Sequence, residues 1–565
     1  MKAANALARR RRMRDLRRAR ASHELPMIRP SPLTALAVAL ATVLAATLPA
    51  MAVEPALDEA LAAGQELAIA IPQEIRSLDP AMATSRGETD LLNQLFEGLM
   101  TADADGAPVP GAAAEYSLSP DRKTYEFRLR ETKWSNGDPL TAADFAFAWR
   151  RVLDPETASP HAWFIEAMNV ENAAAIARRE KPPEDLGIRV LDDRRLQVTL
   201  TGPMPHFLKM LSHPATFPVP MKLVAAEGAD WAQPGKLAGN GAYRLDGQSP
   251  GGEAVLSGNP GYHGAAGTIL TGLRFVPVSE PGEALKRYLD GEFDWLLQPP
   301  AGQIARLRQD HPGQAITPPY ACSYGYLFNL SAKGAPALKE RALRQALSDA
   351  LDRDAIAGAV LRGGQRPALG WTHWAANGRI APDIETSDWS LDERREKARA
   401  LLAEAGYGPE RPLRLMLRLN RSEGDRAVAQ AARQAWQEIG VEAELAEDAW
   451  SRFHERLQDG DFDLARYAWC ADYNDPRSFL DLSGSGRSIG AWSNAEYDAL
   501  LERALAAEDP APLYRQAEEM LLGDMALIPL YHYTRPMLIR PDLRGYPMRN
   551  ALGQWYAREM YRVAP

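Results

Sequence analysis

Short runs of alternating apolar and polar residues recur along this chain between longer runs with helical spacing. That alternation admits α/β lobes and argues against an all-β sandwich or a helical bundle. The strand candidates are TYEFRLR (124–130), LQVTL (196–200), LRFVPV (273–278), FDWLL (293–297), LRLMLRL (413–419) and DFDLARYAW (461–469). Residues 337–361 carry apolar side chains at helical spacing, over a length that predicts a break near Asp352-Arg353-Asp354. Ser390 and Glu393 form a capping box for a helix that stops at Gly406, and Ser493 with Glu496 predicts a second box. Gly- and Pro-rich stretches at 248–252 and 298–302 predict loops, and no internal repeat is evident.

Compartment limits the rest. Residues 33–52, LTALAVALATVLAATLPAMA, are apolar and uncharged, follow a basic region and end in Ala50-Met51-Ala52, the small-x-small pattern of a signal-peptidase site. A secretory signal is expected over residues 1–52, and a membrane anchor is disfavoured because no stop-transfer cluster follows. No cysteine follows the cleavage site either, so no lipid anchor is offered. The arm RRRRMRDLRR ahead of it has the look of a nucleic-acid arm, yet a start at Met27 in place of Met1 or Met13 leaves an ordinary basic head. Residues 1–52 hold 10 of the 65 Lys and Arg and 2 of the 74 Asp and Glu, which leaves 55 basic and 72 acidic residues and a net charge of −17. Such a surface repels nucleic acid and anionic membranes. About 510 mature residues exceed what one hydrophobic core usually supports, so two or three domains are expected.

The chain has two cysteines, Cys322 and Cys470. In an oxidising space they are expected to pair, with two separate buried thiols as the alternative. Closing a loop of this length is worth up to ~5 kcal/mol in the chain-entropy model.

Catalytic signatures are absent. HExxH, Walker A, GxGxxG after a strand and CxxC are missing, and the nine histidines are scattered, so neither a cofactor nor a sequence-local metal site is expected. One pattern does match: Gly486-Arg487-Ser488-Ile489-Gly490 satisfies GxSxG. A nucleophile elbow needs an apolar strand before the serine and a helix directly after it. Ser488 has neither, and a flexible loop is the better reading.

YAWCADYNDP, residues 467–476, follows the strand DFDLARYAW. Asp472 falls just past the strand end, where α/β folds place ligand contacts. A carboxylate partly desolvated beside Trp469 and Tyr473 suits a cation, through Coulomb attraction in a lowered dielectric and about 0.5–2 kcal/mol of cation–π attraction. An Asx turn closing the loop is the plainer alternative.

WCADYNDP and FDLARYA, together with SLDP (77–80), LFEGLM (95–100), KWSNGDPLTAADFAFAWRRVLDPETASP (133–160), HPATFPVP (213–220), NGAYRL (240–245), ALDRD (350–354) and LLAEAGYG (401–408), closely resemble the periplasmic oligopeptide-binding proteins of ABC importers, from about residue 65 to the C-terminus. Many of these motifs belong to the wider peptide, nickel and opine-binding superfamily. WCADYN with a paired cysteine in PYACSY is more specific to the oligopeptide branch. The resemblance implies a disulfide between Cys322 and Cys470. It also implies a two-lobed α/β clamp of the class II periplasmic type with an additional third domain. By that likeness residues 53–96, 221–322 and 540–565 form lobe I, 97–220 the additional domain and 323–539 lobe II. The hinge is expected at strands crossing near residues 96, 220 and 322.

The function so implied is a non-catalytic, monomeric periplasmic receptor that hands short peptides to a membrane-embedded ABC permease. An extended peptide is held through its main chain like an added strand, and its side chains project into hydrated pockets. Asp472 matches the carboxylate that receives the peptide's α-ammonium. Ala468 and Cys470 match positions whose backbone pairs with the peptide, and Trp450 and Trp469 match pocket walls, with core aromatics as the alternative. Arg466 resembles an arginine that meets the carboxylate of peptides of one length; otherwise it is a surface charge or pairs with Asp463.

The chain departs from the pattern elsewhere. Thr84 and Arg86 replace an acidic residue and a nearby valine after SLDP, and His161 replaces a tyrosine after TASP. Another family arginine aligns with Leu457, beside Arg456, and an expected histidine is missing near Arg426. An added cation at Arg86 would favour an acidic side chain or a murein-type peptide. Receptors for murein tripeptide, dipeptides or another small solute, and more distantly a secreted hydrolase using Ser488, are the competing readings.

Overall fold

The computed structural model describes residues 59–564. The expected signal peptide and its alternative starts lie outside them, and no helix among the described residues is long and apolar enough to cross a membrane. Strand β1 (Glu66–Ile71) reads ELAIAI, and its Leu67, Ile69 and Ile71 are buried. It pairs in parallel with Gly272–Pro277 on one side and Trp295–Leu296 on the other. These belong to a seven-stranded sheet completed by Tyr243–Gln248, Ala254–Gly258, Ala315–Ile316 and Met537–Ile539. Helix α1 (Arg86–Leu95) begins at a Ser85–Glu88 capping box.

Residues between α1 and the next strand of that sheet build a smaller, four-stranded antiparallel sheet. Its order is Ala113–Leu118, Thr124–Leu129, Arg195–Thr199, Ile188–Asp192. Phe127, Leu129, Leu196 and Val198 alternate inward and meet Phe145 and Trp149 from the helix Ala142–Leu153. These side chains are continuous with the core under β1, so this part of the chain shares a hydrophobic interior with the first sheet.

The other large sheet has six strands. β2 (Pro319–Phe328), β3 (Leu464–Cys470) and β4 (Leu527–Thr534) form its middle, flanked by Leu413–Asn420 and Val441–Asp448 beyond β3 and by Arg366–Pro367 beyond β4. β2 and β4 come unusually close where their register shifts beside Gly325, since a Cβ there would lie 2.2 Å from the Ile528 carbonyl oxygen.

Two short connectors join the large sheets. One is Thr317-Pro318, between Ala315–Ile316 and β2; the other is Arg535-Pro536, between β4 and Met537–Ile539. They lie side by side: Ile316 pairs with Met537, Pro319 pairs with Thr534, and the Arg535 N–H donates to the Pro318 carbonyl at 2.9 Å. Of the crossings expected near 96, 220 and 322, only the last falls near this junction. The others flank the four-stranded region. The lobe boundary expected at 322 falls inside a strand, and the one at 539 leaves a whole strand with the wrong sheet, because pairing partners set where a strand belongs. Cys322 lies within β2, and Met537–Ile539 pairs in the first sheet.

The helical run 337–361 breaks at Asp352, which caps Arg353–Ala355. Ser390 and Glu393 form the expected box, and Gly406 has φ +78°. The second box is corrected. Asn494, not Ser493, is the N-cap of Ala495–Ala506, accepting from the Glu496 and Tyr497 N–H groups, while the Ser493 hydroxyl bonds Ser485 at 2.8 Å. An asparagine carbonyl one residue nearer the helix outcompetes the serine.

Candidate functional site

β3 carries the site because one of its edges is open. It pairs antiparallel with β2 along its whole length, but with Leu413–Asn420 only through Leu464 and Ala465. In an antiparallel ladder, alternate residues exchange hydrogen bonds with the partner while those between point their N–H and C=O outward. The Ala471 N–H donates to Ala321 and the Asn329 N–H to Asp463, which assigns the odd-numbered residues of β3 to the β2 side. The backbone groups of Arg466, Ala468 and Cys470 therefore face the outer edge. Past Ala465, no strand among the described residues pairs with that edge.

Cys322 and Cys470 are disulfide-bonded. They occupy a pair without mutual hydrogen bonds, where facing Cα atoms come closest, and their Cα separation is 3.9 Å. The bridge pins the end of β3 two residues before Asp472.

The loop that follows is held from several sides. Asn474 donates to the Gly106 carbonyl at 3.3 Å and accepts from the Asn377 N–H at 2.9 Å. Asp475 pairs with Lys209 at 2.6 Å, and Tyr473 stacks on His206 with centroids 5.0 Å apart. The Asp472 side chain takes no part in this clamp. Its backbone N–H reaches Ser478 at 3.3 Å, and no cation among the described residues pairs with its carboxylate. Burial pushes that carboxyl up to about 7. A carboxylate so placed is short of a positive partner.

Arg466 lies in an aromatic box. Its guanidinium is 5.4 Å from the Tyr324 ring centroid, 5.9 Å from that of Trp450, and 3.5 Å from Asp425. The alternative pairing with Asp463 is corrected: Asp463 accepts the Ala335 and Met416 N–H groups. Trp450 is 57% exposed at the start of the helix Trp450–Gln458, so it is not a core aromatic. Trp469 is half-buried against the core behind β3, with an indole N–H that has no acceptor among the described residues. Tyr324, Tyr531 and Tyr533 complete the box; Tyr531 stacks on Tyr324 at 4.6 Å and meets Tyr533 at 5.1 Å. These tyrosines and Asp425 were missed. The signal for the tyrosines was the spacing of two in YHY and in SYGY, which puts side chains on one sheet face, and Asp425 had none.

Thr84 lies in the arch before α1, Arg86 is the first residue of α1, and His161 reaches the arch from the start of the helix Ala162–Ala167. Glu88 accepts from the N–H groups of Arg76, Ser77, Thr84 and Ser85, and His161 Nε2 bonds the Ala83 carbonyl at 2.6 Å. His161 thus braces the arch. Arg86 reaches the carbonyls of Leu552 and Gly553 and pairs with Asp90 at 2.8 Å. Arg456 and Arg426 are taken up by Asp461 and Glu447, and Leu457 is buried. Ser488 stands in a loop between the turn Asp481–Ser483 and the helix Ala495–Ala506, with neither strand before it nor helix directly after it. The described residues hold no group of three His, Cys, Asp or Glu arranged to bind a metal.

A model of the family described as bacterial extracellular solute-binding proteins, family 5 Middle, matches residues 107–491. The chain is 36% identical over 498 residues to the periplasmic oligopeptide-binding protein OppA of Escherichia coli (strain K12), covering 87% of this chain and 91% of that one. Among solved structures it is similar to MppA, a periplasmic murein tripeptide-binding protein, in its unliganded open form. The TM-score is 0.82 at 35% identity, covering 90% of this chain and 99% of the other. It is also similar to Haemophilus influenzae OppA in complex with RPPGFSPFR, with a TM-score of 0.72 at 32% identity, covering 89% and 100%.

Proposed function

The chain belongs to the bacterial extracellular solute-binding proteins of family 5, and from that premise we propose that it is a periplasmic receptor that captures short peptides and delivers them to an ABC permease. The observation that carries this reading is the open edge of β3 ending beside an uncompensated carboxylate. The outward groups of Arg466, Ala468 and Cys470 offer an extended peptide the hydrogen bonds of an added strand, which gives affinity without reading its side chains. Asp472 receives the peptide's α-ammonium. Trp450 and Trp469 wall the side-chain pockets, and Arg466 with its tyrosine box receives a carboxylate further along. The chemistry is binding and release, without turnover. Export by the signal at residues 1–52 and a monomeric state complete the proposal.

Affinity follows the charge of Asp472. A carboxyl raised to about 7 is half protonated at pH 7. The ammonium ligand needs it ionised, so affinity falls by up to about tenfold per unit as pH drops below 7. Above pH ~8 the peptide's own α-amino group loses its proton and affinity falls again. Calorimetric titration of a tripeptide from pH 5 to 9 is expected to give an optimum between about 7 and 8. A flat profile would remove Asp472 as the anchor.

Mass spectrometry of the mature protein under native conditions, after exposure to a mixed peptide library, tests the receptor itself. Retention of many peptides, one per protein, is the expected result, and retention of none counts against it. The similarity to MppA favours a second reading, a receptor for murein tripeptide. Selection of one such species from the library would support that reading instead.

A further inference from the structure

Arg86 and Arg535 come from opposite ends of the sequence and converge on one carbonyl. Both donate to the Gly553 oxygen, Arg535 at 3.4 Å. Gly553 makes this possible: its φ is +63°, and a Cβ there would lie 2.1 Å from Arg535 Nη1. Asp90, fully buried, is the carboxylate paired with Arg86. The other titratable groups facing the two guanidiniums are Tyr320 and Tyr546, and Tyr546 is pushed up by burial and stays neutral. Two cations therefore share one anion. Burial and the neighbouring Arg86 push the Arg535 guanidinium below its ordinary value, as two cations crowded without enough negative charge require.

The cluster also has unused hydrogen-bonding capacity. Arg86 Nε and Arg535 Nη2 make no hydrogen bond among the described residues, and beyond its ion pair with Arg86 the Asp90 carboxylate makes none either. Buried polar groups are ordinarily satisfied, and two guanidiniums that share one carboxylate and each keep an unused N–H point to a further anion. The Arg86 side chain keeps 31% of its surface exposed, which leaves a way in.

Its position links it to the site above. Arg535 stacks on the Tyr320 ring at 4.3 Å. The register that pairs Cys322 with Cys470 continues through the Ala471 N–H bond to Ala321, so Tyr320 is the residue of β2 just before this last bond and Asp472 the residue just after it. On the reading of Asp472 as ammonium anchor, on which this inference rests, the guanidinium pair lies beside the amino end of the ligand. We propose that Arg86 and Arg535 form a subsite for an acidic side chain within the first two residues of the captured peptide.

The test is calorimetric, with free-termini tripeptides on the mature protein. Glu-Ala-Ala is compared with Gln-Ala-Ala, and Ala-Glu-Ala with Ala-Gln-Ala, with Ala-Ala-Ala as reference. In at least one pair the acid is expected to bind about tenfold or more tightly than its amide. Arg535→Gln is expected to abolish that advantage while leaving affinity for the amide peptide unchanged. Equal affinity of acid and amide in both pairs overturns the subsite in the unaltered protein, whatever the variant's folding. So does an acid preference that survives Arg535→Gln. If the amide peptides and Ala-Ala-Ala bind but the acids gain nothing, the subsite alone falls. If no tripeptide binds, the peptide-receptor reading falls and the subsite with it.

Discussion

Asp472→Asn is expected to weaken binding of a free-amine tripeptide by about 2–5 kcal/mol, or ~30-fold to several thousandfold, the usual cost of removing one partner of a buried charge pair. The substitution keeps the shape of the side chain and the backbone bond to Ser478, which needs only the Asp472 N–H. The variant should also fold at least as well as the parent at neutral pH. A carboxyl raised to about 7 binds more protons folded than unfolded, so its contribution to stability is fully present at low pH and is lost as pH rises from about 4 through 7. Asn removes that liability. Titration calorimetry and thermal unfolding at pH 8 together make the test. N-acetylating the peptide should cost the parent as much as the mutation does and cost the variant little more. Equal binding of acetylated and free peptides by the parent would sink the anchor.

Replacing both Cys322 and Cys470 with Ala should have the next largest effect, a loss of about 2–5 kcal/mol in the unit built on β2 and β3. For a unit of this size that lowers the melting point by roughly 2–4 °C per kcal/mol. The bridge joins the last regular pair of the β2–β3 ladder, with only the Ala471–Ala321 bond beyond it. Without it the end of β3 frays, and the edge groups of Cys470 and the loop of Asp472 lose their register. Peptide affinity should therefore drop along with stability. Differential scanning calorimetry of oxidised and reduced protein checks the first effect, and titration of the same samples checks the second. Unchanged melting after complete reduction would show that the ladder alone holds the strand.

The pattern of alternation made much of this fold legible. Five of the six strand candidates overlap strands of three or more residues, and FDWLL contains the two-residue strand Trp295–Leu296. β2 was not among them, because PYACSYGYLF is buried along nearly all its length and shows no alternation between faces. The site was legible where it is local. Asp472, the cysteines and the β3 residues lie within a few positions of one another, and motif likeness found them together. It was illegible where partners are distant: Asp425 lies 41 positions from Arg466, and the carbonyls that hold Arg86 lie more than 460 positions away. No local rule of spacing reports such pairs. The sheet membership of Met537–Ile539 was illegible for the same reason, since it is claimed by a sheet whose other strands end at Ile316.

The two-residue links Thr317-Pro318 and Arg535-Pro536 are too short to let one half of the molecule glide past the other, and each contains a proline whose ring fixes one backbone angle. Tied by a hydrogen bond, they are placed like a door's adjoining knuckles, so the motion expected of the halves is a swing about a single line. Such a swing changes the width of the mouth far more than the geometry beside the pivot. If peptide capture closes the two lobes, contacts near Arg535 are expected to be set before closure and those farther out to form with it.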